Sequence, residues 1–233
     1  MNRRANAGLL ALGARVLMGA LLACAPASAR KAHEPVAPPE IRPMAARADQ
    51  RARFQAAMRD AGKTGAATEQ ECDLLAEQLS ICYVKGTTGD LDYVTAADLA
   101  AWAMSPDALR DAAKRSALQG FSANRPAASA VEGVAGTWWL SAEADGLDAA
   151  GLLHPDRLAQ IAGKTPVVAV PAQGALLFWV PGDPELDKVM AVAARRIYDG
   201  ADQRVSPLVY QWAGDHWEVW GEATPAERDP LQR

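Results

Sequence analysis

The chain has 233 residues, half of them hydrophobic, which is enough for one buried core and one domain. Its formal charge is −4, and setting aside Arg3, Arg4 and Arg15 at the N-terminal end makes it −7. An acidic chain without a basic stripe excludes general nucleic-acid binding.

The N-terminal end reads as an export signal over residues 1–29. Its only charges up to Arg15 are basic, Val16 to Ala23 is an apolar run, and Ala27-Ser28-Ala29 fits a small-x-small cleavage pattern before Arg30. The apolar run is too short to span a bilayer. Leu21-Leu22-Ala23-Cys24 resembles a bacterial lipobox, so acylation of Cys24 as the first mature residue is the alternative. A lipid at Cys24 would be the chain's one attachment to a membrane. Either route leaves Cys72 and Cys82, ten positions apart, and in an oxidising compartment two such cysteines can form a disulfide. Residues 30–47, with KAHEPVAPPEIRP, read as a flexible Pro-rich linker.

A single domain is expected over 48–221. Phe54, Ala57, Met58 and Ala61 recur at helical spacing, which predicts a helix over 48–61. Residues 68–78 read as helical or mixed, with Cys72, Leu75 and Leu79 on the apolar stripe. Leu79 to Val84 reads as a strand, and GTTGD at 86–90 as a turn. Next comes the best-punctuated stretch. Tyr93-Val94 ends a strand, Thr95 caps a helix, Asp98 completes a capping box, and Val94 and Leu99 form the staple. The device repeats with Ser105 as cap, Pro106 in the first turn, and Leu109, Ala112, Ala113 and Ala117 facing inward until Gly120. Residues 122–136 read as a loop. Trp138 and Trp139 then fall on opposite faces of a strand over 137–142.

Glu143 to Asp148 is expected to be a solvated acidic turn, and His154 falls at the cap of a helix that opens at Pro155. Residues 166–170 and 175–180 predict a hairpin, and Asp183-Pro184 opens a helix with Leu186, Val189, Met190, Ala193 and Ile197 inward. Gly214-Asp215 centres a last hairpin whose register sets Trp212 opposite Trp217 and Tyr210 opposite Val219. Residues 222–233 read as a polar tail. Neighbouring strands with helices in separate blocks indicate an α+β fold with a mostly antiparallel sheet.

Several of these pieces occur in an order that resembles the YtpQ-like family of uncharacterised bacterial proteins. They are Tyr93-Val94-Thr95 with Asp98-Leu99 and Trp102, the Val167 to Pro171 strand, the Asp183-Pro184 helix start, and Pro207, Leu208 and Trp212. The resemblance spans about residues 75–220. It implies a shared fold and transfers no catalytic residue, because the family carries no agreed activity.

No nucleophile elbow, zincin motif, C-x-x-C, phosphate-cradling loop or dinucleotide fingerprint is present. With three histidines and none at ligand spacing from another, the sequence suggests no metal or other cofactor. The expectation is a non-catalytic binding or interaction module of the cell envelope, whose partner is an envelope protein or a small ligand. Its candidate surface site is His154, His216 and Trp220. The alternative is a hydrolase or other enzyme with an acid and histidine site outside known motifs, to which Glu143, Asp145 and Asp148 could contribute.

Overall fold

The computed structural model describes residues 36–66, 69–87, 90–123, 126–142 and 148–223. The expected export signal with Cys24, the acids Glu143 and Asp145, and the tail from residue 224 lie outside the described residues. The fold is α+β, and among the described residues the strands form two antiparallel sheets.

The first sheet is built around the long strand β3 (Leu79–Thr87). Strand β1 (Ile41–Arg47) pairs along one side of it, from Ile41 opposite Lys85 to Arg47 opposite Leu79. Strands β2 (Cys72–Ala76) and β4 (Asp90–Tyr93) follow one another along the other side. Helix α1 (Gln50–Asp60) follows β1. Two expectations are corrected here. Residues 41–47 are not linker but a strand whose Ala45 and Ala46 are buried. Cys72 lies on a strand rather than a helix, because β2 needs β3 as its ladder partner, and neither helical spacing nor alternation along 68–78 announces that.

Cys72 and Cys82 face each other across this β2–β3 pair, with Cα atoms 4.0 Å apart, and they form the disulfide. The bond therefore closes a hairpin within one sheet.

The helical block follows the punctuation closely. Helix α2 (Ala96–Trp102) opens on a complete capping box: Asp98 N–H donates to the Thr95 hydroxyl, and Thr95 N–H donates to the Asp98 carboxylate. Lys85 pairs with that carboxylate at 2.5 Å, which ties β3 to the start of the helix. Ser105 accepts from Ala108 N–H and opens helix α3 (Pro106–Ala123), which runs through Gly120 instead of stopping there.

The second sheet has the order β10-β9-β7-β8-β6-β5. Its edge strand β5 (Ala127–Ser129) lies in the stretch expected to be loop, and β6 (Trp138–Ser141) pairs with β8 (Ala175–Trp179). A 3-10 helix (Asp148–Leu153) and α4 (Pro155–Ala162) come next. Asp148 is buried and accepts from Ser141 Oγ at 2.6 Å, which corrects the solvated acidic turn at that residue. Strand β7 (Val167–Ala172) sits between β8 and β9 (Leu208–Trp212), and β10 (Trp217–Glu222) carries the chain one residue past the expected domain end. The hairpin register is as predicted, with Trp212 opposite Trp217 and Tyr210 opposite Val219.

Both faces of the second sheet's central strands β7 and β8 are covered. Val167, Ala169, Leu177, Trp179 and Val209 pack under Leu186, Met190 and Ala194 of helix α5 (Pro184–Gly200). Asp183 caps that helix by accepting from Glu185 and Leu186 N–H. The alternate residues Val168, Val170, Leu176, Phe178 and Tyr210 join a larger core with Leu79, Ile81 and Tyr83 of the first sheet and Leu109 of α3. Burial on both sides accounts for the unbroken apolar runs VVAV and ALLFW. Each such side chain contributes roughly 1.5–3 kcal/mol.

A polar chain runs through this core. The Tyr210 hydroxyl donates to Glu77 O at 2.7 Å, so the Ser206 hydroxyl, 2.6 Å away, donates to Tyr210 and accepts from Leu208 N–H. Burial pushes the Tyr210 pKa up to about 12. Tyr210→Phe should cost about 2 kcal/mol in urea unfolding, because it strands the Glu77 carbonyl and the Ser206 hydroxyl. A change under about 0.5 kcal/mol would show that this chain does not fasten the sheets.

For the disulfide, the closed loop is short, so reduction should cost about 3 kcal/mol and lower Tm by several degrees. The Cys72→Ala/Cys82→Ala variant should then be indifferent to reductant. Two titrating thiols in the native oxidised protein would contradict the bond.

Candidate functional site

The fold creates a cleft of about 700 Å³ where the first sheet meets the β7–β8 turn and the segment after α5. Met44 and Val84 supply apolar floor, and Tyr93 ends β4 there. Gln50 and Arg53 come from the first turn of α1, and Arg47 from the end of β1. The opposite wall is Gln173 with Asp202, Gln203 and Arg204.

That wall is fixed by main-chain bonds. Gln173 N–H donates to Gln203 O, Val205 N–H to Pro171 O, and Ser206 N–H to Val170 O. Residues 203–206 thus run as a short extra ladder beside β7, with Ala172 opposite Arg204. Ser206 is the residue that bonds Tyr210, so the core anchors this wall.

At the centre of the polar lining is the Tyr93 hydroxyl. Gln50 Nε2 donates to it at 3.1 Å, and the side chains of Gln70 and Gln173 also face it. Burial pushes its pKa above the ordinary value, and the three glutamines pull the other way. Gln70 is fully buried, and its amide meets hydrogen-bond geometry with no protein group even though it faces Tyr93.

The arginines differ in how they are held. Arg47 and Arg53 share the Asp49 carboxylate, at 3.0 and 2.7 Å. The Arg53 and Arg47 guanidiniums hold the Asp49 carboxyl below its usual range. Arg204 donates from Nη2 to Asp199 O at 2.7 Å and from Nε to Ala201 O at 3.2 Å, and its guanidinium lies over the Tyr198 ring. Among the described residues it makes no ion pair.

The residues nominated from sequence go elsewhere. His154 stands at the N-cap position of α4 without capping it, and its Nε2–H donates to Lys114 O at 2.8 Å. His216 sits exposed in the β9–β10 turn beside Asp215, 2.6 Å away. Trp220 sits at a bulge in β10 and meets Trp179 edge-on, with ring centroids 6.3 Å apart. No hydrogen bond or ion pair joins the three, and none of them lines the cleft. Among the described residues no group of three histidines, cysteines or acids is placed to hold a metal ion. The cleft was missed because its residues come from five separate stretches. Its one local signal was Asp202-Gln203-Arg204, a polar run directly after a helix.

No protein-family model, curated protein or solved structure matches this chain.

These placements give the two histidines different weights. His154→Ala should cost about 1 kcal/mol through the lost bond to Lys114 O. His216→Ala, an exposed turn position, should stay within about 0.5 kcal/mol of the parent. Paired urea titrations compare them, and equal costs would contradict the assignment.

Proposed function

We propose that this protein is an exported module of the bacterial cell envelope that binds a small ligand without transforming it, and that the cleft around Tyr93 is its ligand site. The observation that carries the reading is the convergence of Gln50, Gln173 and a half-buried tyrosine hydroxyl on one walled concavity. A site of this volume falls within the usual range for small-molecule pockets. Main-chain bonding of the 203–206 wall keeps it pre-formed, which lowers the entropy lost on binding.

Export is supported by the N-terminal pattern and by the Cys72–Cys82 bond, since disulfides persist in oxidising compartments. Among the described residues no helix is long and apolar enough to cross a membrane. The resemblance to YtpQ-like proteins belongs to the same proposal. The enzyme alternative draws no support from His154, whose ring is committed to a main-chain carbonyl.

Fractionation should place the protein outside the cytoplasm, with a mature chain that begins at Arg30 or at acylated Cys24. An intact Met1 terminus on a cytosolic protein would end the envelope reading. For the cleft, native mass spectrometry of the mature protein mixed with an envelope small-molecule extract should show a non-covalent adduct. Tyr93→Phe should weaken that adduct while leaving the fold intact. An adduct indifferent to Tyr93→Phe and Gln50→Ala would move the site elsewhere, and conversion of the bound compound would establish an enzyme.

A further inference from the structure

The Arg204 side chain is held differently from Arg47, Arg53 and Arg195. An exposed arginine usually wanders or pairs with an acid, as Arg195 pairs with Asp199 at 3.0 Å on the same tyrosine ring. Arg204 does neither. Two main-chain carbonyls at the end of α5 hold Nε and Nη2, and the Tyr198 ring supports the plane. Its Nη1 hydrogens have no partner among the described residues. Neutral carbonyls leave the guanidinium charge intact, while the side-chain entropy is already lost before any ligand arrives. The end of the fork left open, Nη1 with the second Nη2 hydrogen, matches a carboxylate or phosphate oxygen pair.

The charge balance points the same way. Arg47 and Arg53 are satisfied by one carboxylate, and Asp202 is the acid on the far wall. Three arginines against Asp49 and Asp202 leave one positive charge in a chain whose net charge is −4. An anion gains there.

The rest of the lining selects for hydroxyls. A primary amide both donates and accepts, and so does an alcohol. Gln50, by donating to the Tyr93 oxygen, leaves the phenol proton free to be donated onward. Behind it lies the Gln70 amide, fully buried and without a hydrogen bond, a costly arrangement unless the network around Tyr93 is completed by another group.

We infer that the cleft takes a small hydroxylated molecule bearing one oxyanion, a carboxylate or a phosphate ester, with the anion on Arg204 and the hydroxyls on Gln50, Gln173 and Tyr93. The inference rests on the cleft being the ligand site proposed above.

Two matched probe pairs test it: glucuronate against glucose, and glycerol phosphate against glycerol. Binding to the mature protein is read from the side-chain amide resonances of Gln50 and Gln173 at millimolar probe. At least one acid should bind about tenfold more tightly than its neutral partner, and which acid does so identifies the oxyanion. Arg204→Gln should erase that preference. Arg204→Lys, which keeps the charge without the fork, should retain only part of it, and Arg195→Gln should leave it unchanged.

Equal binding of acids and neutral partners overturns the inference, as does a preference that survives Arg204→Gln. No response to any of the four probes overturns it as well. The cleft reading is judged separately by the envelope-extract adduct. An adduct still weakened by Tyr93→Phe would leave a cleft that binds a ligand of another class.

Discussion

One buried phenol fastens the two halves of this fold together. Tyr210 belongs to the second sheet, and its hydroxyl donates to the carbonyl of Glu77 in the turn between β2 and β3 of the first. That turn needs a fixed partner, because Gln78 sits at φ 60°, a left-handed conformation that a non-glycine residue holds only when its surroundings over-determine it. The proton chain has a single consistent direction: Leu208 N–H to Ser206, Ser206 to Tyr210, Tyr210 to Glu77. Every member is satisfied, so a polar group at the centre of a hydrophobic core rigidifies instead of destabilising. Ser206 also ends the short ladder that carries Gln203 and Arg204. The pin between the sheets and the wall of the cleft are therefore one connected structure.

The division of the second sheet into two cores explains why some elements were plain in the sequence. Strands β7 and β8 face α5 with one set of alternate residues and the first sheet with the other. Their composition is apolar at nearly every position, bounded by proline and glycine, and each run is too short for a buried helix. Thr95 with Asp98, Ser105 and Asp183 announced three helix starts, because a cap is a contact between residues two or three apart. The β9–β10 register followed from turn placement for the same reason.

What escaped depends on partners distant in sequence. Strand β1 contains Pro43 and two arginines, a composition that reads as linker. Among the described residues it pairs only with β3, which makes it an edge strand, where a missing N–H and charged ends are tolerated. Its Ala45 and Ala46 are buried by elements far along the chain. Cys72 reads in the sequence as part of a helical or mixed stretch, and the disulfide forms instead because Cys72 and Cys82 stand directly opposite in an antiparallel pair, where Cα atoms come close. The cleft escaped completely. Glutamine and arginine on a surface carry no periodicity, and only the folded chain brings Gln50, Tyr93, Gln173 and Arg204 to one place.

The same arginine count can be inert or consequential according to what holds each side chain. Arg47 and Arg53 spend their charge on Asp49 at the mouth of α1, an exposed arrangement that screening renders weak. Arg110 is bidentate to Asp73, which also accepts from Tyr83, so its charge serves the packing of α3 on β2. Arg204 is bound as firmly as either, but by carbonyls, which carry no formal charge to cancel. Those carbonyls lie at the C-terminal end of α5, where the helix dipole favours a cation. The fold thereby offsets the cost of ordering Arg204 with its own backbone and leaves its guanidinium without a carboxylate partner among the described residues, on a side chain that lines the cleft.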